Sequence, residues 1–377
     1  MGQKKLKVGL IKGGQLGLML LEASRSFDIQ TFVLDDDPNC PCRSLCDEFV
    51  LGNCEDFDDV YAFGKKVDLI TFEYEHINID ALKKLHKEGL AIFPSPDSLA
   101  IVQDKGRQKE FYRDNAIATS PFHLINNKQA IAPLVSRFPV VQKTRKAGYD
   151  GKGVMKLNGL DDLGKAFDGP SVLEEYVDFV NEIAVVVARN QQGEIALYPT
   201  VSMVFHPVQN LVEFLASPAN ITADVDAKAR RLAIKIAEQI NLVGVMAVEM
   251  FVTKDNEVLV NEIAPRVHNS GHHTIEANVT SQFEQHWRAV LGLPLGSTAI
   301  KSPAVMVNIL GEAGFDGKAR YEGIEEAIKL GGVHVHLYGK AITRPFRKMG
   351  HATIVDENVD KALTKARIVK EIIKVKV

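Results

Sequence analysis

Short apolar runs alternate with amphipathic stretches through the first 100 residues, and this alternation constrains the fold more than any other feature. Runs near 6–11, 30–35, 67–73 and 90–93 have the length and composition of strands, and the stretches 15–26, 56–66, 78–88 and 95–103 have helical spacing. Strands joined through helices run parallel, because each crossover returns the chain to the same end of the sheet. The first turn of this α/β unit lies in "KVGLIKGGQLGLML" (7–20), where an apolar run stops at glycines and Leu16, Met19, Leu20 and Ala23 follow at helical spacing. The next strand ends in Asp35, about where a dinucleotide-binding fold puts its ribose carboxylate. That fingerprint opens with a glycine, however, and this chain has Lys12. The lysine argues against a nicotinamide cofactor.

With 377 residues, 46% of them hydrophobic and 25% charged, the chain is long enough for two or three domains. A formal net charge of -3 gives no sequence-independent attraction to nucleic acid or to an anionic membrane. No apolar run reaches the ~18 residues of a membrane span, and "MGQKKLKVGL" lacks the apolar core of a signal peptide. A cytoplasmic location is expected, with Cys40, Cys42, Cys46 and Cys54 as reduced, structural thiols whose spacing matches no C-x-x-C metal pair. Beyond a polar helical segment, 104–115, strands are expected at 138–144, 153–157 and 171–177. An antiparallel-looking region follows, with strands near 183–189, 194–204, 211–216, 243–253 and 257–263 and a helix at 222–241. Two strands (304–310 and 333–338), a basic loop (339–350) and a helix (358–374) complete the pattern.

Five segments carry residues suited to chemistry. In "VMAVEMFVTKDNEVLVNEIAPR" (245–266) two strands meet at turn residues 254–257, and a turn centred between Asp255 and Asn256 sets Glu249 opposite Glu262. Facing carboxylates repel unless a cation lies between them, and oxygen ligands suit magnesium; a solvated face or a register one residue off is the alternative. In "QKTRKAGYDGKGV" (142–154) glycines let backbone N–H groups approach phosphate oxygens, and Lys143 supplies a point charge. No Walker A sequence is present. The acidic turn in "LEEYVDFVNEIAVVV" (173–187) offers backbone groups to a purine edge and Glu182 to ribose hydroxyls, or is a solvated loop. In "APRVHNSGHHTIEA" (264–277) His268, His272 and His273 raise the question of zinc; a small anion held by Arg266 and the polar loop is the better use. Finally, "GKAITRPFRKMGH" (339–351) gathers Lys340, Arg344, Arg347 and Lys348, either a solvated surface or a cradle for a phosphorylated substrate.

Together with "TFEYEH" and "TSQFEQH", these strings resemble the N5-carboxyaminoimidazole ribonucleotide synthetase family of ATP-grasp enzymes nearly end to end. The resemblance implies an α/β and α+β multidomain protein: an ATP-grasp fold with an N-terminal parallel α/β, Rossmann-like pre-ATP-grasp domain and a small C-terminal β-rich domain. The implied divisions are 1–105 for substrate binding, 106–180 for the small ATP-grasp subdomain with the glycine-rich loop, 181–300 for the large subdomain with the metal site, and 301–377 for completing the ribonucleotide site. It also implies ATP- and bicarbonate-dependent carboxylation of 5-aminoimidazole ribonucleotide through carboxyphosphate and CO₂, with one or two magnesium ions, in a homodimer. ATP contacts carried over from the family are Lys105, Lys143, Gly148, Asp150, Gly151, Lys152, Gly153, Glu174, Glu175, Tyr176, Val177, Glu182, His206 and Asn261, with Glu249 and Glu262 as metal ligands. Gly13, Gly14, Gln15, Leu16, Glu73, Tyr149, Asp150, Lys340, Arg344 and Arg347 correspond to the ribonucleotide site, and Arg266, His268 and Asn269 to the bicarbonate site. Asp150 or a neighbour would accept the amine proton. The chain departs from the family pattern at Lys12, where glycine is usual, at Leu18, where arginine is usual, and at Lys105, which replaces an arginine. Rival readings are a formate-dependent glycinamide ribonucleotide formyltransferase, a non-catalytic nucleotide-binding regulator and a nicotinamide dehydrogenase.

Overall fold

A computed structural model describes residues 5–146, 153–205 and 212–377. Its N-terminal sheet has five strands, all parallel, in the order Glu48–Leu51, Ile29–Asp35, Leu6–Ile11, Leu69–Phe72, Ala91–Ile92. The central strands are apolar on both faces because helices cover both, and Val33, Leu34, Ile70 and Phe72 are fully buried. The edge strand Glu48–Leu51 was not expected: its four residues are half-buried or exposed and carry no two-sided apolar signal. Cys40, Cys42 and Cys54 are buried free thiols and Cys46 is half-buried.

A four-stranded antiparallel sheet follows, ordered Phe122–Ile125, Ser171–Glu175, Val140–Thr144, Val154–Leu157. One face packs on its own small core, which contains Val140 and Leu173. The third sheet has nine strands. Its order is Val258–Ala264, Gly244–Thr253, Phe179–Arg189, Val201–Phe205, Val212–Ser217, Ala304–Leu310, Lys348–Val355, Val333–Leu337, with Ile195–Leu197 paired beside Phe179–Arg189. Three strands after residue 300 therefore extend this sheet, through the antiparallel pairing of Ala304–Leu310 with Val212–Ser217, while Gly317–Lys318 with Ile342–Thr343 and Arg320–Glu322 with Lys374–Lys376 form two small two-stranded sheets beside it.

Two expectations are corrected here. The run 194–204 is two strands, interrupted at Tyr198, Pro199 and Thr200, since proline cannot donate to the ladder. The basic run 339–350 is not all loop: Lys348 opens an eight-residue strand, Lys348–Val355, whose six central residues are buried. Gly350, His351 and Thr353 hide that strand from a hydrophobicity reading.

The helix Gln282–Val290, also unexpected, joins the first and third sheets. The Trp287 indole N–H donates to the Leu20 carbonyl at 2.7 Å. The fully buried His286 accepts from the Val245 N–H at Nδ1 (3.2 Å), so its proton lies on Nε2, which donates to Thr71 Oγ1 at 2.7 Å. One neutral imidazole thus ties the parallel sheet to the nine-stranded one. Burial lowers the pKa of His286 to about 3 and that of His273 to about 4, from an ordinary value of 6.5. The unfolded chain takes up these protons near pH 6.5 and the folded chain does not. Their contribution to stability is therefore complete above pH 6.5 and is lost as pH falls toward 3 to 4, by about 1.4 kcal/mol per pH unit for each ring. Urea unfolding at pH 7 and pH 5 is expected to show this loss, and His286→Gln to flatten the profile by about one proton while costing about 1–3 kcal/mol at pH 7. Equal pH slopes in the two proteins would refute the assignment.

Candidate active site

The strands Gly244–Thr253 and Val258–Ala264 form the expected hairpin, but with a different tip. Val252 faces Val258, Phe251 faces Leu259 and Met250 faces Val260, a register centred on Asp255 that would set Glu249 against Asn261. A bulge then inserts Asn261, after which Glu249 faces Glu262, Val248 faces Ile263 and Ala247 faces Ala264. The facing carboxylates are therefore present, but they depend on the bulge and not on the turn. The bulge also directs two consecutive side chains into the cleft. Lys143, from Val140–Thr144, donates to Asn261 Oδ1 at 2.8 Å, and Lys105, from the helix Lys105–Asp114, donates to Glu262 Oε2. On the outer edge the Val260 N–H donates to the Ala118 carbonyl at 2.8 Å, and Thr119 Oγ1 donates to the Val260 carbonyl at 2.6 Å.

Charge in this cleft is unevenly held. The Lys105 ammonium holds Glu262 down to about 2. Burial, and next the facing Glu262, push Glu249 up to about 8. Burial and Glu262 likewise raise Glu182, on Phe179–Arg189, to about 7. Without a further cation Glu249 keeps a proton at neutral pH, and a divalent ion in its place would relieve the same repulsion. Glu174 is buried; desolvation alone would raise its pKa, but Lys143 and Lys109 keep it below the ordinary carboxylate value. Glu175 is exposed, and the N–H groups of Glu175 and Tyr176 already donate to the Pro121 and Pro139 carbonyls at 2.9 and 3.4 Å. Those two donors are spent, and Val177 follows them half-buried.

The opening turn is braced from below. Lys12 takes φ 71°, a left-handed conformation in which glycine is easier, and its ammonium pairs with Asp36 and lies 3.4 Å from Asp35. Asp35 accepts the Gly13 N–H at 2.7 Å, so it serves the turn itself. Buried Glu73 accepts the Gly14 N–H at 2.6 Å and the Gly17 N–H at 3.0 Å, at the start of the helix Gln15–Ser24. A Cβ on Gly14 would lie 2.5 Å from Glu73 Oε1, which explains the glycine. The Leu16 side chain packs into the core with Val8, Leu10 and Met19, and Leu18 packs half-buried against that cluster. Gln15 Oε1 accepts from Lys340 at 2.8 Å, and Lys340 also donates to the Lys348 carbonyl at 2.8 Å. Arg344 is exposed, and burial and Arg344 together lower the pKa of Arg347.

Arg266 leaves the Val258–Ala264 strand toward the N-terminal domain and pairs with Glu75 at 3.1 Å. His268 Nδ1 lies 3.8 Å from Glu249 Oε1 and 2.8 Å from Ser270 Oγ, and Asn269 begins the short turn Asn269–Gly271. The sequence-predicted Gly148, Tyr149, Asp150, Gly151, Lys152 and His206 lie outside the described residues; Gly153, at φ 76°, is described and its carbonyl accepts the Thr144 N–H. Residue reasoning missed Glu75, which orients Arg266, and Asp104, which accepts both the Arg145 guanidinium (2.7 and 2.8 Å) and the Gly106 N–H that opens the Lys105 helix. An Asp directly before a helical stretch is a capping signal and could have exposed the second.

A parallel N-terminal sheet, two further sheets with a lysine-lined acidic cleft between them and a C-terminal extension of the larger one define an ATP-grasp enzyme. Residues 110–283 match the ATP-grasp domain, 5–103 the ribonucleotide synthetase preATP-grasp domain and 304–365 the phosphoribosylaminoimidazole carboxylase C-terminal domain. The chain is 36% identical over 360 residues to the N5-carboxyaminoimidazole ribonucleotide synthase of Bacillus subtilis, covering 94% of this chain and 92% of that one. It is similar to the crystal structure of N5-carboxyaminoimidazole ribonucleotide synthetase from Thermotoga maritima, with a TM-score of 0.91 and 45% identity over 98% of this chain and 99% of that one. A structure of the synthase from Aspergillus clavatus in complex with ADP and 5-aminoimidazole ribonucleotide aligns with a TM-score of 0.89 at 32% identity, covering 98% of each chain. The chain belongs to the N5-carboxyaminoimidazole ribonucleotide synthase family.

Because Asp104 joins Arg145 and the helix start in one carboxylate, Asp104→Asn is expected to lower stability by about 1–3 kcal/mol. Denaturant unfolding measures this, and an unchanged midpoint would remove the brace.

Proposed function

We propose that this protein carboxylates the exocyclic amine of 5-aminoimidazole ribonucleotide, using ATP and bicarbonate and passing through carboxyphosphate and CO₂, in de novo purine biosynthesis. The observation that carries the reading is Glu249 facing Glu262 beside Lys105 and Lys143, which reach the same strand from two other elements. Paired carboxylates next to paired ammonium groups suit a triphosphate and its counter-ion. Among the described residues no group of three or more His, Cys, Asp or Glu is arranged to hold a metal. A two-carboxylate set fits magnesium, which completes its shell from water and phosphate oxygens. Magnesium, when bound, would supply charge neutralisation on the transferring phosphoryl group.

Lys105 and Lys143 add fixed positive charge on the nucleotide side. Arg266, whose Nε is buried without a partner, forms the bicarbonate site with His268 and Asn269. The Gly14–Gln15 turn, Glu73, Lys340, Arg344 and Arg347 form the ribonucleotide site; Tyr149 and Asp150 are assigned to it from the resemblance. The Aspergillus clavatus complex with ADP and 5-aminoimidazole ribonucleotide supports the same pairing of ligands in this chain. A homodimeric, cytoplasmic enzyme is part of the same proposal.

Phosphate release from ATP is expected to require bicarbonate and to rise when 5-aminoimidazole ribonucleotide is added. Stimulation by formate with glycinamide ribonucleotide instead would move the protein to the rival ligase. Glu262→Gln is expected to abolish turnover, a loss of ~10²-fold or more, with the melting transition retained; an active variant would dismiss the metal assignment.

A further inference from the structure

Lys109 lies one helical turn beyond Lys105 on the same helix, and the reading above leaves it without a part. Its side chain is only 3% exposed. The ammonium donates to Thr119 Oγ1 at 2.6 Å and to Ser120 Oγ at 3.0 Å, and lies 3.3 Å from Glu174 Oε1. Lys143 Nζ lies 3.1 Å from that same oxygen, while Ser120 donates to Glu174 Oε2 at 2.9 Å. One buried carboxylate therefore stands between two ammonium groups.

Burying a charge is costly unless it is paired, so the trio has to be considered as a unit. Lys143 and Glu174 alone would be a neutral pair, and Lys143 would present a phosphate with a charge already compensated. With Lys109 added, the three groups together carry one positive charge. Of the two lysines, Lys143 is the one that also reaches Asn261 on the bulge, and so the one that faces the cleft. Lys109 faces the other way, toward Thr119, whose hydroxyl holds the Val260 carbonyl immediately before that bulge. Burial lowers the pKa of Lys109 to about 8, which still leaves it protonated at neutral pH.

We propose that Lys109 is a positioning residue of the nucleotide site: it takes up the charge of Glu174 so that Lys143 keeps its positive field for the phosphate chain, and it anchors Thr119 against the bulged strand. The inference rests on the ATP reading of this cleft. Its test compares magnesium-ATP affinity by calorimetry in the full-length wild type, Lys109→Met, Lys109→Arg and the double variant Lys109→Met/Glu174→Gln, with melting curves for each and KM and kcat where turnover is present. Lys109→Met is expected to weaken ATP binding about tenfold or more and to raise the KM for ATP more than it lowers kcat. Lys109→Arg should retain most of the affinity. The double variant, which removes both the ammonium and the charge it balances, should bind more tightly than Lys109→Met. Wild-type affinity in Lys109→Met, or a double variant no tighter than the single one, overturns the proposal. If Lys109→Met does not fold, the double variant is compared with Glu174→Gln alone: affinity within about threefold of that single variant supports the charge role, since Lys109 then has no carboxylate to balance, and a loss of about tenfold relative to it overturns the proposal. A wild type that binds ATP without carboxylating the ribonucleotide would refute the proposed function and leave this inference standing.

Discussion

Two glutamates face each other across a hairpin, and their mutual repulsion organises the molecule around them. Glu249 and Glu262 are both half-buried in the cleft, so water screens them only in part, and the chain answers with lysines from outside the hairpin. Lys105 arrives on a helix braced by Asp104 and Arg145, and Lys143 arrives on a strand of a different sheet. The response is asymmetric: Lys105 sits on Glu262, which stays ionised, and Glu249 is left to hold a proton or a cation. Because the compensating charges come from two separate elements, the acidic pair can be accommodated only when the small sheet and the large sheet are brought together. The same contacts that relieve the repulsion thus close the cleft.

The remaining architecture positions this cleft between two other surfaces. His286 and Trp287 connect the N-terminal sheet to the nine-stranded one through bonds to Thr71, Val245 and Leu20, all removed from solvent. Arg266 continues the connection by pairing with Glu75 directly after the strand Val258–Ala264 that carries Glu262. At the far edge the sheet runs on into Ala304–Leu310 and Lys348–Val355, which brings Lys340 to Gln15 across 325 residues of sequence. A continuous ladder with a buried imidazole at one joint leaves little freedom for these three surfaces to move independently.

The facing carboxylates were legible because a short loop of turn residues limits the register to two or three choices. The bulge was not, because Asn261 looks like any polar residue of a strand, and its effect arises from Ala118 and Thr119, more than 140 residues earlier in the chain. The parallel sheet was legible from two-sided apolar runs, whereas Glu48–Leu51 and Lys348–Val355 escaped notice for opposite reasons. The first is an edge strand with too little apolar surface, and the second is buried with glycine, histidine and threonine in its centre. Lys109 was hidden in a segment that reads as a solvated polar helix. Its i, i+4 relation to Lys105 was available, but burial of a lysine depends on a carboxylate from another sheet, and no local pattern reports that.

The turn at Gly13–Gly14 shows how one carboxylate redirects a binding site. A helix start of this kind ordinarily offers its free N–H groups to a phosphate. Here Asp35 takes the Gly13 N–H, and Glu73 takes those of Gly14 and Gly17, so three of these donors are filled by the protein's own anions. An incoming phosphate would meet negative charge there, and burial that raises the pKa of Glu73 does not turn its oxygens into donors for these amides. On the proposed reading, the phosphate of the ribonucleotide is held largely by cations from elsewhere, and the connection between the strands Val333–Leu337 and Lys348–Val355 supplies them in Lys340, Arg344 and Arg347. The turn keeps its glycines for a different reason: the close approach of Glu73 leaves no room for a side chain at Gly14. On that reading, what resembles a phosphate loop in the sequence borders a site whose positive charge comes from the opposite end of the chain, as the Lys340–Gln15 hydrogen bond illustrates.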